Sequence, residues 1–392
     1  MKTMKWMGTV LLATVSVPVF AQETLPAKPM TALAIAAAAG DQDADASGPA
    51  KLSSKLNHAD VQRAMKLVAD WQLKQSEGKW NQDWTYAPLY LGLLAASETT
   101  KDSRYHDVVL SKSEEFQWKL WNNRPLHADD EAIAQAYELL WHEKHDDVRI
   151  AEARSRFDQI VVYQDKPEKE LWWWADSLYM APAGLAEMSR ITDDPKYKVA
   201  MDREWALTQA HFYNTDDHLF TRDARTLSTK EKNGKPVYWA RGNGWVLAGT
   251  ANVLQALPKN DPLRPKYEKL FREMSARIAG LQMSDGLWRT GLLDQEAYAL
   301  PETSASGFFV YAMAWGVNAG VLDAKTYKPV VEKGWAGLLK HVYASGRLGC
   351  VQPIGFAPGQ FETSSSYVYG TGAFLLAGSQ VDRMVGTKKH AH

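Results

Sequence analysis

The chain has 392 residues, of which 45% are hydrophobic, and a formal net charge of −1 at pH 7. This length provides one large core or two ordinary ones, and the balanced charge argues against a nucleic-acid-binding protein. Sixteen tryptophans and sixteen tyrosines favour surfaces that stack on sugars, although large cores use aromatic residues as well.

The first residues have the pattern of a secretory signal peptide. Lys2 and Lys5 form a positive region, an apolar run follows, and the string VFA precedes Gln22, which predicts cleavage after Ala21. The apolar run is too short for a membrane span, and no later stretch of the sequence reaches that length. Cys350 is the only cysteine, which excludes an internal disulfide. This style of signal predicts export to a bacterial periplasm.

Residues 22–55 are rich in Ala, Pro, Asp and Ser, a composition typical of a flexible tether. The run TALAIAAAA within it favours a transient helix, without an apolar face by which it would dock. We therefore expect one folded domain over residues 56–385, followed by a disordered tail at 386–392.

Within that domain, apolar residues recur at helical spacing almost throughout. In DVQRAMKLVADW, for example, the apolar positions 61, 64, 65, 68 and 71 fall on one helix face. About twelve such segments start near residues 60, 85, 103, 130, 147, 176, 195, 242, 263, 303, 326 and 364. No pair of strands joined by a hairpin turn is predicted, so the chain is expected to be all-α.

The connections between these helices repeat weakly. Each of four connectors places a basic residue and a tyrosine just inside a new helix, after an apolar helix: KDSRYHDVV (101–109), DDPKYKVAM (193–201), PLRPKYEKLF (262–271) and DAKTYKPVV (323–331). Such repetition indicates helix–turn–helix units. Six hairpins that close on themselves form an (α/α)6 barrel, in which inner and outer helices alternate. A helical solenoid is the alternative architecture.

Polar and aromatic segments precede the predicted inner helices: QDWTYAP (82–88), LHADDEA (126–132), WWWADS (172–177), YWARGNGW (238–245), PETSASG (301–307) and FETSSSY (361–367). In an alternating barrel the N-terminal ends of the inner helices lie on one face. The fold would therefore gather these segments around one mouth, where helix N-termini favour an anionic ligand.

Asp176 follows three consecutive tryptophans, Trp172, Trp173 and Trp174. One interpretation is a helix N-cap. The other is a general acid, because a carboxyl held among apolar rings has a raised pKa. The two roles are compatible. Consecutive side chains point in different directions, so one or two of the indoles are expected to face the sugar while the rest pack into the core.

A second carboxylate site is predicted at Asp129 and Asp130, although acidic residues are also common in a first helical turn. His127, beside them, is a candidate ligand or hydrogen-bond partner. No spacing of His, Cys and Asp favours zinc, and the calcium-loop pattern is absent apart from a vague likeness at 40–48. No metal and no other cofactor are predicted.

The string YWARGNGW predicts a tight turn from which Arg241 projects, flanked by Trp239 and Trp245. Arginine is suited to bind a carboxylate with two hydrogen bonds, while a surface arginine beside loop glycines is the alternative. Nucleotide binding is disfavoured, because the string is not GxGxxG and no strand precedes it.

Hydroxyl groups at the last two predicted inner helices come from Thr303, Ser364 and Ser366. They either cap the helices or bind a sugar carboxylate. No G-x-S-x-G string supports acyl transfer.

Several strings together resemble the unsaturated uronyl hydrolases, glycoside hydrolase families 88 and 105, and most of all the rhamnogalacturonyl-hydrolase branch, family 105. The resemblance spans roughly residues 60–380 and rests on HADDEAIAQAY, WWWADSLYMAP, YWARGNGW, DGLWRTGLLD and PETSASGFFVYAMAWG. It implies an (α/α)6 barrel with a metal-independent site at its mouth. It also implies a substrate made by a polysaccharide lyase, with a C4=C5 unsaturated uronate at its non-reducing end, of pectin or rhamnogalacturonan type.

The resemblance assigns roles to particular residues. Asp176 would be the acid that protonates C4 and then the base for the water that adds at C5. The second essential aspartate maps to the Asp129–Asp130 pair, with Asp130 favoured. The residues implied to contact the substrate are Trp239, Arg241, Trp245, Ser364 and Ser366.

The sequence departs from the family at one position. Many members carry a histidine about 45 residues after the catalytic aspartate, where this chain has Arg222, with His218 four residues earlier. The contact to the uronate is therefore expected to differ, which leaves the identity of the substrate open.

Other activities stay open as well. A polysaccharide lyase or saturated-sugar hydrolase on the same barrel is one alternative, with His127 and Tyr86 as candidate bases for a lyase. A non-catalytic glycan-binding protein is the other. The sequence does not determine the oligomeric state.

Overall fold

The structure is a computed structural model that describes residues 31–124, 126–163 and 170–386. The predicted signal peptide and residues 387–392 of the predicted tail lie outside these ranges. Within them, no helix combines the length and the apolar character needed to cross a membrane.

The described residues are mostly helical. The α-helices are α1 (Ala32–Ala39), α2 (His58–Gln75), α3 (Ala87–Thr100), α4 (Ser103–Glu115), α5 (Ala128–Glu131), α6 (Ala134–Lys144), α7 (Ala151–Tyr163), α8 (Ser177–Met180), α9 (Pro182–Thr192), α10 (Lys196–Phe212), α11 (Ala240–Ala256), α12 (Arg264–Gly280), α13 (Thr303–Asn318), α14 (Ala324–Leu339) and α15 (Val368–Gly386). The strands are β1 (Gly40–Asp41), β2 (Tyr213–Asn214), β3 (Leu219–Phe220) and β4 (Ser366–Tyr367). They form two antiparallel pairs, β1 with β4 and β2 with β3.

Twelve of these helices form six consecutive hairpins, which pair α2 with α3, α4 with α6, α7 with α9, α10 with α11, α12 with α13, and α14 with α15. The second helices of the hairpins make an inner ring in which α3 contacts α6, α6 contacts α9, and so on through α11, α13 and α15 back to α3. Because the ring closes, the predicted (α/α)6 barrel is confirmed and the solenoid is excluded. The expected helix starts near 60, 103, 303 and 326 lie within two residues of the observed ones.

The inner helices are more completely buried than the outer ones. The inner helix α13 is buried at every position from Thr303 to Gly316, because inner neighbours and outer helices cover it on all sides. Close approach within the inner ring needs glycine at two positions. A Cβ on Gly372 in α15 would collide with the backbone of Pro88 in α3, and one on Gly249 in α11 with the carbonyl of Leu178.

Residues 31–55 do not form the predicted tether. Strand β1 pairs with β4 in the register Gly40↔Tyr367 and Asp41↔Ser366, and the Tyr86 hydroxyl donates to the carbonyl of Ala38 at 2.9 Å. The amide of Ala50 donates to the carbonyl of Val342 at 2.8 Å. The composition is misleading here because the segment docks through backbone hydrogen bonds, which do not depend on an apolar face.

Candidate active site

The polar segments before the inner helices meet at one mouth of the barrel, as the topology predicts. Trp84, before α3, stacks on Tyr369 of α15 with ring centroids 5.8 Å apart and lies edge-on to Trp245 of α11 at 6.0 Å. Arg241 of α11 donates to the carbonyl of Gln352 at 2.5 Å. Contacts between segments so far apart in sequence define the N-terminal ends of the inner helices as one surface.

Asp176 lies in this mouth with only 6% of its surface exposed. One carboxylate oxygen, Oδ2, accepts a hydrogen bond from Nε of Arg222 at 2.9 Å, while Oδ1 is buried without a partner among the described residues. Burial raises the pKa of Asp176, against the opposing charges of Arg222 and Arg241. The side chain makes no capping hydrogen bond to α8, so the N-cap interpretation does not account for its position.

Oδ1 of Asp176 faces a helix that leaves room for it. A Cβ on Gly242, in the first turn of α11, would lie 3.4 Å from this oxygen. Glycine at this position therefore leaves space beside the unpaired oxygen. A carboxyl with one anchored and one unpaired oxygen has the arrangement of a group that exchanges a proton with a ligand.

Arg222 is the observed partner of Asp176. Its Nη1 also donates to Asp223 at 2.5 Å, and its carbonyl accepts from the amide of Ala175 at 2.7 Å. The preceding strand β3 is fixed to α11, because the Asn243 side chain accepts from the amide of Phe220 at 2.8 Å and donates to its carbonyl at 2.9 Å. The asparagine of YWARGNGW thus holds the strand that delivers Arg222 to the site.

Asp129 and Asp130 have different environments. Asp130 is fully buried and accepts from the backbone amide and from Nε of Arg124, each at 3.0 Å. Asp129 keeps 20% of its side chain exposed, and its Oδ2 lies 3.8 Å from Nδ1 of His127. Burial raises the pKa of Asp129 to about 8, and the charges of Asp83 and Asp176 add to this. Asp129, rather than Asp130, therefore shares its electrostatic environment with Asp176.

His127 completes this side of the mouth. Burial and the charge of Arg124 lower the pKa of His127 to about 4, so the ring is neutral near pH 7. Its Nδ1 is buried without a hydrogen-bond partner among the described residues, and the ring packs against Trp174 with centroids 5.1 Å apart. The imidazole is thus available to a ligand.

The string YWARGNGW forms the first turn of α11 and not the predicted tight turn. Arg241 does not project from it. The side chain is fully buried, donates to the carbonyls of Gln352 and Pro353 at 2.5 and 2.7 Å, and lies between the rings of Trp239 and Tyr369 at 4.6 and 4.8 Å from their centroids. Its positive charge lowers the pKa of Asp176, but both of its Nη atoms already donate to backbone carbonyls.

The two tryptophans that flank Arg241 are also buried. Nε1 of Trp239 donates to the Gln352 side chain at 2.7 Å. Trp245 packs in the centre of the barrel, with its ring centroid 4.9 Å from Tyr179 and 4.4 Å from Phe308. These residues form the floor beneath the mouth, because an inner helix turns its side chains into the barrel.

The three consecutive tryptophans separate as predicted. Trp172 is fully buried, Trp174 is buried against His127, and Trp173 is 43% exposed. The guanidinium of Arg222 lies over the Trp173 ring, 5.8 Å from its centroid.

The polar groups of most other predicted site residues already form hydrogen bonds within the protein. His218 lies in the turn between β2 and β3, where its Nδ1 is 3.0 Å from the Tyr213 hydroxyl, and that hydroxyl also contacts Glu273 of α12. The Thr303 hydroxyl donates to the carbonyl of Gly349 at 2.7 Å, and the Ser364 hydroxyl to Gln42 at 3.3 Å. The Ser366 hydroxyl is buried in β4 without a partner among the described residues.

Comparison with known proteins decides the family. The model of Glycosyl Hydrolase Family 88 matches residues 58–385. The chain belongs to this family. An unsaturated 3S-rhamnoglycuronyl hydrolase of Formosa agariphila is 37% identical over 83% of this chain and 91% of its own. A second protein of that name, from an Alteromonas species, is 34% identical over 82% of this chain and 85% of its own.

Solved structures agree with this family 88 assignment. A family 88 glycosyl hydrolase from Bacteroides vulgatus superposes with a TM-score of 0.78 at 29% identity, over 83% of this chain and 99% of that one. A structure named as a polysaccharide lyase superposes with a TM-score of 0.79 at 31% identity, over 85% and 99%. The protein is thus a glycoside hydrolase by family.

Two charged residues that act on these carboxylates were not predicted from the sequence. Asp83 is buried, and its Oδ1 accepts from the amide and hydroxyl of Thr85 at 3.0 and 2.8 Å. In the sequence, Asp-x-Thr looks like an ordinary turn, so nothing reveals that the charge of this carboxylate helps to raise the pKa of Asp129. Arg124 was missed because it lies in an irregular segment, outside any helical pattern.

A cavity of about 600 Å³ lies at the opposite mouth of the barrel. Its lining includes Glu138, Glu187 and Arg190 but none of the predicted site residues, so it is separate from the candidate site around Asp176. Over the described ranges, no group of three or more His, Cys, Asp or Glu side chains is arranged to hold a metal.

Proposed function

We propose that this protein removes a 4,5-unsaturated uronate from the non-reducing end of oligosaccharides made by polysaccharide lyases, with rhamnose as the preferred neighbouring sugar. The observation that carries the proposal is Asp176, a buried carboxyl with one oxygen anchored by Arg222 and the other unpaired. The relatives named unsaturated 3S-rhamnoglycuronyl hydrolases support the choice of uronate and rhamnose.

In this proposal the reaction is a hydration. Protonated Asp176 gives its proton to C4 of the enol ether, and positive charge develops on C5 and the ring oxygen. The resulting carboxylate then takes a proton from water as the oxygen of that water bonds to C5. The product is a hemiketal at C5, which opens to a C5 ketone and leaves a hemiacetal at C1. Collapse of that hemiacetal breaks the bond between C1 and the glycosidic oxygen, which releases the uronate as an open-chain keto acid with a C1 aldehyde and the remaining oligosaccharide as an alcohol.

The surrounding groups set the protonation states for this step. Burial of Asp176 favours its neutral form, which is the form that gives a proton. Asp129, with its pKa raised to about 8, is mostly protonated at neutral pH and would donate a hydrogen bond to the sugar or the water. The charges of Arg222 and Arg241 balance the carboxylate that Asp176 becomes.

The test is the ultraviolet absorbance of the conjugated double bond. Hydration destroys this absorbance, so purified protein should bleach a lyase digest of rhamnogalacturonan or ulvan. Digests of pectin and of heparin-like chains are the comparison substrates. A protein that bleaches none of these digests contradicts the proposal.

A lyase is the second candidate. It is favoured by the structure named as a polysaccharide lyase. His127 is a poor candidate for the base of such a lyase, because Nε2 of the neutral ring accepts from Nη1 of Arg124 at 3.3 Å and the ring proton is therefore on Nδ1. A lyase creates the double bond, so the absorbance of an intact uronate polymer would rise. The sign of the change in absorbance therefore separates the two reactions.

Arg222→Met should change the pH dependence of kcat/KM. The positive charge of Arg222 lowers the pKa of Asp176, so its removal raises that pKa and keeps the acid protonated to higher pH. The high-pH limb should move upwards by about 1–3 pH units. At the optimum, kcat/KM should fall roughly 100-fold, because Asp176 loses the contact that orients it.

Arg222→Lys is the matched control, because it keeps the charge and loses the geometry. Its kcat/KM should fall at the optimum while the high-pH limb stays near that of the parent. An unshifted limb in Arg222→Met would show that Arg222 does not act through the protonation of Asp176.

We also propose that the protein is exported, on the basis of the N-terminal pattern. The protein recovered from the periplasmic fraction of a bacterial host should then begin at Gln22. An intact Met1 in that fraction would contradict cleavage after Ala21.

A further inference from the structure

We propose that an exposed rim beside the site binds the sugars on the reducing-end side of the scissile bond, by stacking pyranose rings on Phe356 and Trp173. This inference rests on the proposed function and extends it to the leaving group. Phe356 is 54% exposed and Trp173 is 43% exposed. Large exposed aromatic side chains at the edge of a cleft are typical of ligand-binding surfaces.

The two rings are held by one cluster of charged side chains. Arg222 lies over Trp173 at 5.8 Å from the ring centroid, and Arg225 lies over Phe356 at 4.6 Å. Both arginines donate to Oδ2 of the buried Asp223, at 2.5 and 2.6 Å. Asp223 therefore fixes the guanidinium beside each ring, and each exposed ring retains surface for a ligand.

The same cluster connects the rim to the reacting centre. Arg222 bonds Asp223 through Nη1 and Asp176 through Nε. The Trp173 ring and the proposed acid, Asp176, thus both contact Arg222. A sugar bound to the uronate through its glycosidic oxygen would leave the mouth over this rim.

The loop that carries Phe356 is anchored to the floor of the site. The Gln352 side chain donates to the carbonyl of Ala357 at 2.9 Å and accepts from Nε1 of Trp239 at 2.7 Å. The amide of Gln352 donates to Glu302, at the start of α13, at 3.0 Å. Because the loop is fixed near both ends of 352–357, Phe356 is presented in a defined place, and less entropy is lost when a ligand stacks on it.

The experiment compares two substrates that share the unsaturated uronate. One carries a methyl group as its leaving group, and the other carries a di- or trisaccharide. For Phe356→Ala, kcat/KM on the oligosaccharide should fall about 5- to 10-fold, the effect of one aromatic contact. On the methyl uronide it should stay unchanged. Phe356→Trp should restore the oligosaccharide value, because the stacking face returns.

The matched control is Val199→Ala, which removes a 57% exposed apolar side chain from the outer helix α10 and should affect neither substrate. An equal loss on both substrates in Phe356→Ala would indicate a structural role and overturn the rim. Unchanged activity on both would overturn it as well.

A binding measurement separates failure of the rim from failure of the proposed reaction. Calorimetric titration of Asp176→Asn with the unsaturated oligosaccharide does not require turnover. The affinity should weaken about 5- to 10-fold when Phe356→Ala is added. If the parent protein hydrolyses neither substrate, this titration still tests whether the rim binds the oligosaccharide. Unchanged affinity rejects the proposed role of the rim, and weakened affinity supports it.

Discussion

Asp176→Asn is expected to lower kcat for hydration by about 10³- to 10⁴-fold, at the upper end of the range for acid–base catalysis. Asparagine has the shape of aspartate but has no proton to give to C4. Its side-chain oxygen can still accept the hydrogen bond from Nε of Arg222, so the variant should fold as the parent does. The measurement is the rate at which the absorbance of the double bond disappears, with the melting temperature as the check on folding.

Asp216→Asn is the matched control, because Asp216 is exposed in the turn between β2 and β3. It should retain the full rate. If Asp176→Asn kept more than about a tenth of the parental rate, Asp176 would not be the general acid. The unpaired Oδ1 would then need another explanation.

The adjacent residues Asp129 and Asp130 should respond to substitution in opposite ways. Asp129→Asn is expected to reduce kcat/KM by about 100-fold with an unchanged free energy of unfolding. The substitution removes an ionisable group whose pKa responds to the charge of Asp176. It breaks no ion pair with His127, because that ring, 3.8 Å away, is neutral near pH 7.

Asp130→Asn should act on stability. Its fully buried carboxylate accepts from the backbone amide and Nε of Arg124, and hydrogen bonds to charged groups contribute about 1.5–3 kcal/mol. The half-exposed Arg124 can be rehydrated, so the lower half of this range is expected. Denaturant titration measures the loss, and kcat per folded molecule should stay near the parental value.

The reverse pattern would restore the assignment that the family resemblance favours. In that case Asp130→Asn would lose activity at unchanged stability. Arg124 would then be a catalytic partner and not the structural one that its contacts indicate.

Much of the fold follows from local patterns. The helix starts are predicted because apolar spacing records which face of each helix is buried. Once the helices alternate between two rings, the gathering of Asp129, Asp176 and Arg241 at one mouth is a geometric consequence. The docking of residues 31–55 was not predictable, since it depends on backbone hydrogen bonds to β4 and the 342–345 segment.

The sequence by itself determined the helical periodicity, the family and the position of Asp176 among the tryptophans. These features lie within a short stretch of chain, where side-chain chemistry and spacing can be read directly. Only the tertiary structure decided which groups Asp176 meets. Its partner Arg222 follows strand β3 in the connection between α10 and α11, and Asn243 of α11 holds that strand in place.

Tertiary structure also decided between neighbours that look equivalent in the sequence. Asp129 and Asp130 are adjacent on α5, so their side chains point about 100° apart. Asp130 pairs with Arg124, while the charge of Asp176 helps to raise the pKa of Asp129. Arg241 is a buried anchor for 352–353 because it lies in the first turn of α11, where its Nη atoms donate to the carbonyls of Gln352 and Pro353. Burial and ion pairing arise between distant segments, and for that reason the roles of single charged residues emerge only in the folded chain.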